Sequence, residues 1–283
     1  MDKKIYVING AGDQEPLSEF KVYRSAKRSG ASNDLAKQIV FEIQQKAYPG
    51  ITTQEIHDRI KSFLIKEAPY SAMRFSLKEG IRKLGPTGFH FEKYVADIFE
   101  DYGYAVQNHQ YLPGVCVNHE VDFLAKKEKK IFVGECKYHN TIGCRVDLKV
   151  VLANHSRITD LENGKFFKTK ELKDLKMQGI VVTNTKFTTE AIKYTQCVGL
   201  DLLGWRHPND HGLEYMIESR KLYPVTILPS LTDNFIGSFA EERIMLVKDV
   251  LVLDLIRFGR KWGIPESRMR QIKKEAELLM NSK

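Results

Sequence analysis

Cysteine is scarce: four residues in 283, at 116, 136, 144 and 197, with no C-x-x-C pair among them. A disulfide framework is therefore not expected in a chain of this length. A zinc site can be drawn from Cys136, His139 and Cys144, but the spacing matches no common zinc pattern, and the residue type more often acts as a small buried hydrophobe. No apolar run approaches the roughly 18–20 residues that a membrane span needs. The opening MDKKIYVINGAG lacks the apolar stretch of a signal peptide, so a cytoplasmic protein without membrane contact is expected. Internal repeats and low-complexity segments are also missing.

What is present suits a globular protein. Hydrophobic residues make up 42% and charged residues 28%, enough to bury two or three cores. The net charge of +8 is uneven. Residues 1–84 hold 15 Lys/Arg against 10 Asp/Glu, residues 85–228 hold 19 against 18, and residues 229–283 hold 10 against 8. A basic excess favours a polyanionic partner, nucleic acid or nucleotide, though charge alone moves the balance only slightly.

Periodicity divides the chain. A small hairpin is expected over 3–9 and 15–20 around Gly10-Ala11-Gly12-Asp13. Leu35, Ile39, Ile43 and Ala47 recur at helical spacing, and Thr52 with Glu55 suggests a capping box before the apolar face of Ile56, Ile60, Phe63 and Leu64. A further helix is expected from about Ser71 to Leu84. Gly85-Pro86-Thr87-Gly88 marks a domain boundary. Beyond it a helix over Phe89–Tyr102 precedes strands at 104–107, 120–125 and 131–138. A polar helix is expected over 147–163. GIVVTNT (179–185), KFTTEAIKYTQCVG and LDLLGW (200–205) read as strand, helix and strand, predicting parallel pairing. After Tyr223-Pro224 the chain turns helical, with IMLVKDVLVLDLI as an apolar core helix. A last amphipathic helix follows Gly263-Ile264-Pro265, lined by Met269, Ile272, Ala276 and Leu279.

The chemistry concentrates in NHEVDFLAKKEKKIFVGECKYHN, residues 118–140. A turn at Lys127–Lys130 pairs Asp122 with Glu135 and Leu124 with Val133. Side chains alternate along a strand, so Asp122, Leu124, Val133, Glu135 and Lys137 share one face. Two carboxylates across a hairpin repel. A divalent cation removes that repulsion, and Mg²⁺ or Mn²⁺ suits one or two carboxylates with waters and phosphate oxygens. The backbone carbonyl of Cys136 could add a ligand. Lys137 could orient a water or stabilise phosphate charge. Glu92 falls at the edge of its helix's apolar stripe, where it could join the cluster. The blander reading is a solvated ion pair at a strand end, against which Val133, Gly134 and Cys136 argue burial.

Acid helix, strand Asp, short hairpin and Glu-x-Lys together resemble the PD-(D/E)xK nuclease superfamily, and most closely its Mrr-like branch. GFHFEKYVADIFEDYGYAV, EVDFLA, VGECKYH and GIVVTNTKFTTEAIKYTQCVGLDLLGW carry the likeness over about residues 85–210. The motif's proline position holds Val121. The resemblance implies an α/β restriction-endonuclease-like core, a mixed sheet flanked by helices. It implies metal binding at Asp122 and Glu135, with catalytic roles for these two, Lys137 and Glu92. Residues 1–84 resemble an ATP cone through the hairpin, the F-x-x-x-(R/K) helices and YSAMRFSLKEGIRKLGP. The cone's basic turn is replaced by Asn9-Gly10-Ala11-Gly12, which leaves Lys21, Arg24, Lys27 and Arg28 as candidate contacts for ATP or dATP. The C-terminal helices loosely resemble a helix-hairpin-helix element, although its glycine-rich hairpin is not evident around Gly259–Gly263.

The expectation is thus a cone-like domain over 1–84, a nuclease domain over 85–224 and a helical region over 225–283. The expected activity is Mg²⁺-dependent hydrolysis of DNA, with His119, Asn154 and Arg157 as further candidate nucleic-acid contacts. Cutting both strands would most simply use a homodimer. The alternative is a non-catalytic nucleotide sensor or nucleic-acid binder that keeps a nuclease fold, and no motif excludes RNA as the substrate.

Overall fold

The structure is a computed structural model that describes residues 5–85, 89–169 and 172–281, except the side chain of Phe89. Pro86, Thr87 and Gly88, the heart of the expected domain boundary, lie outside the described residues. No helix among the described residues is long and apolar enough to cross a membrane.

The N-terminal stretch opens with an antiparallel hairpin, β1 (Tyr6–Ile8) and β2 (Gln14–Pro16). Asn9 forms its turn: Oδ1 accepts from the N–H groups of Ala11 at 2.8 Å and Asp13 at 3.0 Å. Five helices follow: α1 (Glu19–Arg28), α2 (Asn33–Lys46), α3 (Thr53–Glu67), α4 (Pro69–Phe75) and α5 (Leu77–Arg82). Ser18, Ser32 and Thr52 cap the first three with side-chain oxygens. Only half of the expected capping box forms. The Thr52 hydroxyl accepts from Glu55 N–H at 3.0 Å, but the Glu55 carboxylate takes the Tyr48 hydroxyl and the Arg59 guanidinium instead. Val7, Ala26, Ile39, Ile43, Ile60 and Leu64 form the core. The helix expected over 71–84 is two helices. At Ser76 the hydroxyl bonds back to the Ala72 carbonyl at 2.9 Å, competing with the backbone ladder.

The central stretch is mixed α/β. After α6 (Phe89–Asp101) come β3 (Ala105–Pro113), β4 (Asn118–Lys127), β5 (Lys130–Lys137), β6 (Arg145–Val146) and α7 (Leu148–Asn163). Then follow β7 (Lys176–Thr183), β8 (Lys186–Phe187), α8 (Thr189–Val198), β9 (Asp201–Leu203) and α9 (Leu213–Arg220). The five-stranded sheet has the order β3-β4-β5-β7-β9. Its first three strands pair antiparallel, and β7 joins β5 and β9 in parallel. The parallel strand-helix-strand expected from the sequence is therefore present. β3 runs six residues past the expected 107, because its polar residues 107–110 hide an edge strand.

Each sheet face has its own packing. Phe99 of α6 lies against Phe123 and Phe132, with ring centroids 5.1 and 6.0 Å away. Leu124, Val133 and Val181 join Val151, Ile158 and Leu161 of α7 and Ala191 of α8 in a second core. Asp147 caps α7 through Lys149 and Val150 N–H, and Gly199 ends α8 at φ +76°.

The C-terminal stretch holds α10 (Asp233–Glu241), α11 (Val247–Val252), α12 (Leu255–Trp262) and α13 (Glu266–Asn281). The single core helix expected over 244–256 is interrupted. Asp254 leaves helical geometry to cap α12 through Arg257 N–H at 3.1 Å. Val252 is 87% exposed and Ile256 50% exposed, so the run is not a core helix. The face of α13 is as expected, with Met269, Ile272, Ala276 and Leu279 all buried.

The three segments fold into two compact units. One holds the chain up to Gly80 with Val225–Phe235 and Val250–Lys283; the other holds Ile81–Pro224 with Ile236–Asp249. Within the first, α13 packs on α4, and Glu275 accepts from Ser230 N–H at 3.0 Å and the Ser230 hydroxyl at 2.7 Å.

Candidate functional site

The β4–β5 hairpin closes at Lys127–Lys130 with Leu124 opposite Val133, the register expected from sequence. Its ladder ends at Phe123–Gly134. A Cβ at Gly134 would lie 2.1 Å from the Phe123 ring, so only glycine lets that ring cross the partner strand. One residue further, the Asp122 side chain does what a backbone carbonyl would do: Oδ2 accepts from Cys136 N–H at 2.6 Å. Burial first, then the Glu135 and Glu92 carboxylates, push the Asp122 pKa up to about 7.

Glu135 faces α7, where Arg157 forms an ion pair with it. Lys137 Nζ stands 4.0 Å from its other oxygen. Glu92 sits on α6; burial pushes its pKa up, His109 pulls it down, and Glu135 and Glu120 push it up again. The three acids thus share one electrostatic neighbourhood.

Among the described residues, no group of three or more His, Cys, Asp or Glu side chains converges as a ready-made cation cage. The donor chemistry nevertheless fits Mg²⁺ or Mn²⁺, which need only one or two carboxylates when waters and phosphate oxygens fill the remaining positions. Asp122 and Glu135 are two hard oxygen donors forced together by the hairpin. The Cys136 N–H points at Asp122, and in an antiparallel strand the carbonyl of that residue faces the same neighbour.

The other candidates are placed differently. His119 bonds Asp160 of α7 at 2.8 Å. Asp160 also accepts from Cys116 N–H at 2.9 Å and is held near a pKa of about 2, chiefly by His119. His119 therefore fastens the β3–β4 turn to α7. Asn154 is buried, with Oδ1 lacking a hydrogen-bond partner, so it offers no exposed phosphate grip. Of these three, only Arg157 reaches the hairpin end.

In the first unit a cleft of about 210 Å³ is lined by Val7, Lys21, Val22, His57, Ile60 and Phe75 among others. Of the four basic candidates only Lys21 lines it, 3.0 Å from Glu15. Arg24 stacks 5.3 Å over Phe20, Lys27 Nζ donates to the Ala31 carbonyl at 2.8 Å, and the Arg28 carbonyl accepts from Arg74 at 3.2 Å. Sequence reasoning missed His57, whose ring stacks on Phe75 with centroids 4.5 Å apart. It also missed a cavity of about 830 Å³ in the second unit, lined by Glu92, Asp97, His109, Lys248 and Asp249 among others. Burial, then Asp249, pushes the Asp97 pKa up to about 7. The periodicity of α6 marked Glu92 at the edge of its apolar stripe but gave no sign of Asp97.

Comparison with known proteins places both ends of the chain. Residues 5–78 match the ATP cone domain family. Residues 223–280 match the family described as AF1548-like, C-terminal. An uncharacterized protein of Archaeoglobus fulgidus is 30% identical over 183 residues, 65% of this chain and 98% of that protein. The chain belongs to the AF1548-like family. A solved structure of a protein of unknown function, AF1548, superposes with a TM-score of 0.58 at 28% identity, covering 69% of this chain and all of that one. This AF1548-like chain therefore carries an ATP cone, which suggests a nucleotide ligand, together with a five-stranded mixed sheet flanked by helices.

Proposed function

We propose that this AF1548-like protein is a Mg²⁺- or Mn²⁺-dependent endonuclease that hydrolyses phosphodiester bonds in DNA, on a restriction-endonuclease-like core, with nucleotide bound at the cone as regulator. The observation that carries the reading is the hairpin end. Asp122, Glu135 and Lys137 meet there with an Asp122 acid pushed up to about 7 by burial and its neighbours. Perturbed acids beside a basic side chain gather at sites of chemistry, although buried structural acids such as Asp97 are raised as well.

Asp122, Glu135 and the Cys136 carbonyl would hold the cation, which supplies charge neutralisation at the phosphate and acidifies bound water. Arg157 fixes the Glu135 carboxylate by its ion pair. Lys137, with a half-exposed side chain on the Glu135 face, orients the attacking water and steadies charge on phosphorus oxygens. Glu92 would act from the α6 side through water or a second metal ion. A homodimer would place two such sites on opposite strands.

Plasmid nicking with Mg²⁺ tests this, and loss of nicking in Asp122→Ala and Lys137→Ala is the expected result. Undiminished cutting in both variants would remove the hairpin end from the reaction; cutting of RNA alone would change the substrate. The second reading, a non-catalytic nucleic-acid binder, is favoured by the lack of a converged cation cage among the described residues. Tight DNA binding without cleavage in either metal would establish it. Calorimetry with ATP, ADP and dATP tests the cone, and no heat with any of them would demote it to a structural module.

A further inference from the structure

We propose that His109 is a contact residue for the substrate's phosphate backbone, holding it on the α6 side of the acid cluster. This rests on the nuclease reading above.

The register places it there. β3 pairs Asn108 with Phe123 and Gln110 with Val121, so His109 stands level with Asp122, and that one rung is missing from the ladder. Directly opposed residues are the nearest neighbours two antiparallel strands offer. The backbone at His109 is also unusual, with φ at +51° inside an otherwise extended strand. Left-handed geometry is costly for a residue with a Cβ, and it persists where the surroundings impose it, often at working sites. Here it takes the ring out of the regular alternation of β3.

The ring is oriented but not consumed. Nδ1 lies 3.3 Å from Glu120 Oε1, and the ring meets Tyr111 edge-on with centroids 5.6 Å apart. The Tyr111 hydroxyl donates to the other Glu120 oxygen at 3.1 Å, so the carboxylate that steers the imidazole is itself held. Nε2 has no protein partner among the described residues. The side chain is 54% exposed and lines the cavity of about 830 Å³ together with Glu92.

A phosphodiester arriving here passes Glu92 and Glu120, carboxylates that the proposed cation does not engage. It requires cationic donors on both sides of the cluster. Lys137 and Arg157 lie on the α7 side. On the α6 side, the His109 ring is held at Nδ1 by Glu120, 3.3 Å away, so that Nε2 offers a phosphate oxygen a contact of fixed direction. An exposed His–Glu pair of no consequence is the competing account, and it predicts no coupling to any phosphate.

The test is a cycle between protein and substrate. A DNA duplex cut at a mapped position carries a single methylphosphonate, which removes one anionic oxygen, at successive linkages around the cut. His109→Gly keeps a residue at ease with positive φ and removes the ring; His109→Asn keeps a donor. On unmodified DNA, His109→Gly should lower kcat/KM by about 10- to 100-fold, the scale of one hydrogen bond to a charged group. His109→Asn should fall between it and wild type. At one linkage the methylphosphonate should cost the wild type a similar factor and cost His109→Gly nothing further. Losses that multiply at every linkage, or His109→Gly cutting like wild type, would overturn the assignment and leave the nuclease reading standing. A wild-type chain that cuts no duplex in Mg²⁺ or Mn²⁺ would overturn both.

Discussion

In the cone, a cleft of about 210 Å³ is walled by Val7, Val22, Ile60 and Phe75, with a stacked His57 and a single lining lysine, Lys21. At the end of the β4–β5 hairpin, three acids share a neighbourhood with Lys137 and Arg157. The first arrangement suits a flat, partly apolar ligand read by shape and stacking. The second places like charges together, which costs electrostatic energy that a cation and an anion would relieve. On the proposed reading the difference is a division of labour: nucleotide recognition in the helical domain, hydrolysis where the sheet brings like charges together.

Four results would break or sharpen that contrast. The largest effect belongs to the sheet. Asp122→Ala and Lys137→Ala should each lower plasmid nicking by at least about 10²-fold, the scale of losing one preorganised electrostatic group. Losses of only two- or three-fold would return both residues to a structural role.

Next comes packing in the first unit. Met269 is fully buried on α13. Met269→Ala should cost about 2–5 kcal/mol, the range for core truncation to alanine, seen as faster hydrogen exchange in α4 and α13. A shift under about 0.5 kcal/mol, ordinary for surface positions, would deny that α13 belongs to the cone's core.

The raised acids of the sheet unit and the buried His57 of the cone should contribute to pH dependence with opposite sign. Asp122 and Asp97 have folded pKa values raised to about 7 from 3.8. The folded sheet unit therefore binds protons that the unfolded chain has released. The contribution of these two groups to stability is fullest below about pH 4 and falls as pH climbs through 7. His57 is the reverse: burial lowers its pKa from 6.5, so the cone loses stability as pH drops below 6.5. Segment-resolved hydrogen exchange between pH 5 and 8 reads both trends. Asp97→Asn should flatten the sheet's dependence, and parallel trends in the two units would refute the contrast.

The smallest effect is at the cleft. His57→Ala removes the ring stacked on Phe75 and should weaken ATP binding about 5- to 10-fold, matching roughly 1 kcal/mol for an aromatic contact. Unchanged calorimetric affinity would move the nucleotide elsewhere.

Local signals made some of this legible in advance. The α7 helix could be read because Asp147 is a capping residue and Gly164 follows its last turn. The hairpin could be read because KEKK separates two alternating apolar runs, and the pairing of Leu124 with Val133 followed from that turn. Other features carry no local mark. Ser76 and Asp254 look helical by neighbourhood, yet each spends its side chain on the backbone and splits the expected helix. Asn154 and His119 read as surface polar residues. One is buried and the other is tied to Asp160, across 41 residues of chain.

Sequence by itself determined the strands of the β4–β5 hairpin, the face of α13 and the spacing that turns Asp122, Glu135 and Lys137 to one side of that hairpin, because alternation and turn chemistry are short-range properties. Tertiary structure alone decided that Arg157 reaches Glu135, that Glu92 shares their field, that His57 rather than Arg24 or Lys27 lines the cone's cleft, and that His109 stands level with Asp122. Those choices depend on which distant elements pack together, and the electrostatics of each site follow from that packing.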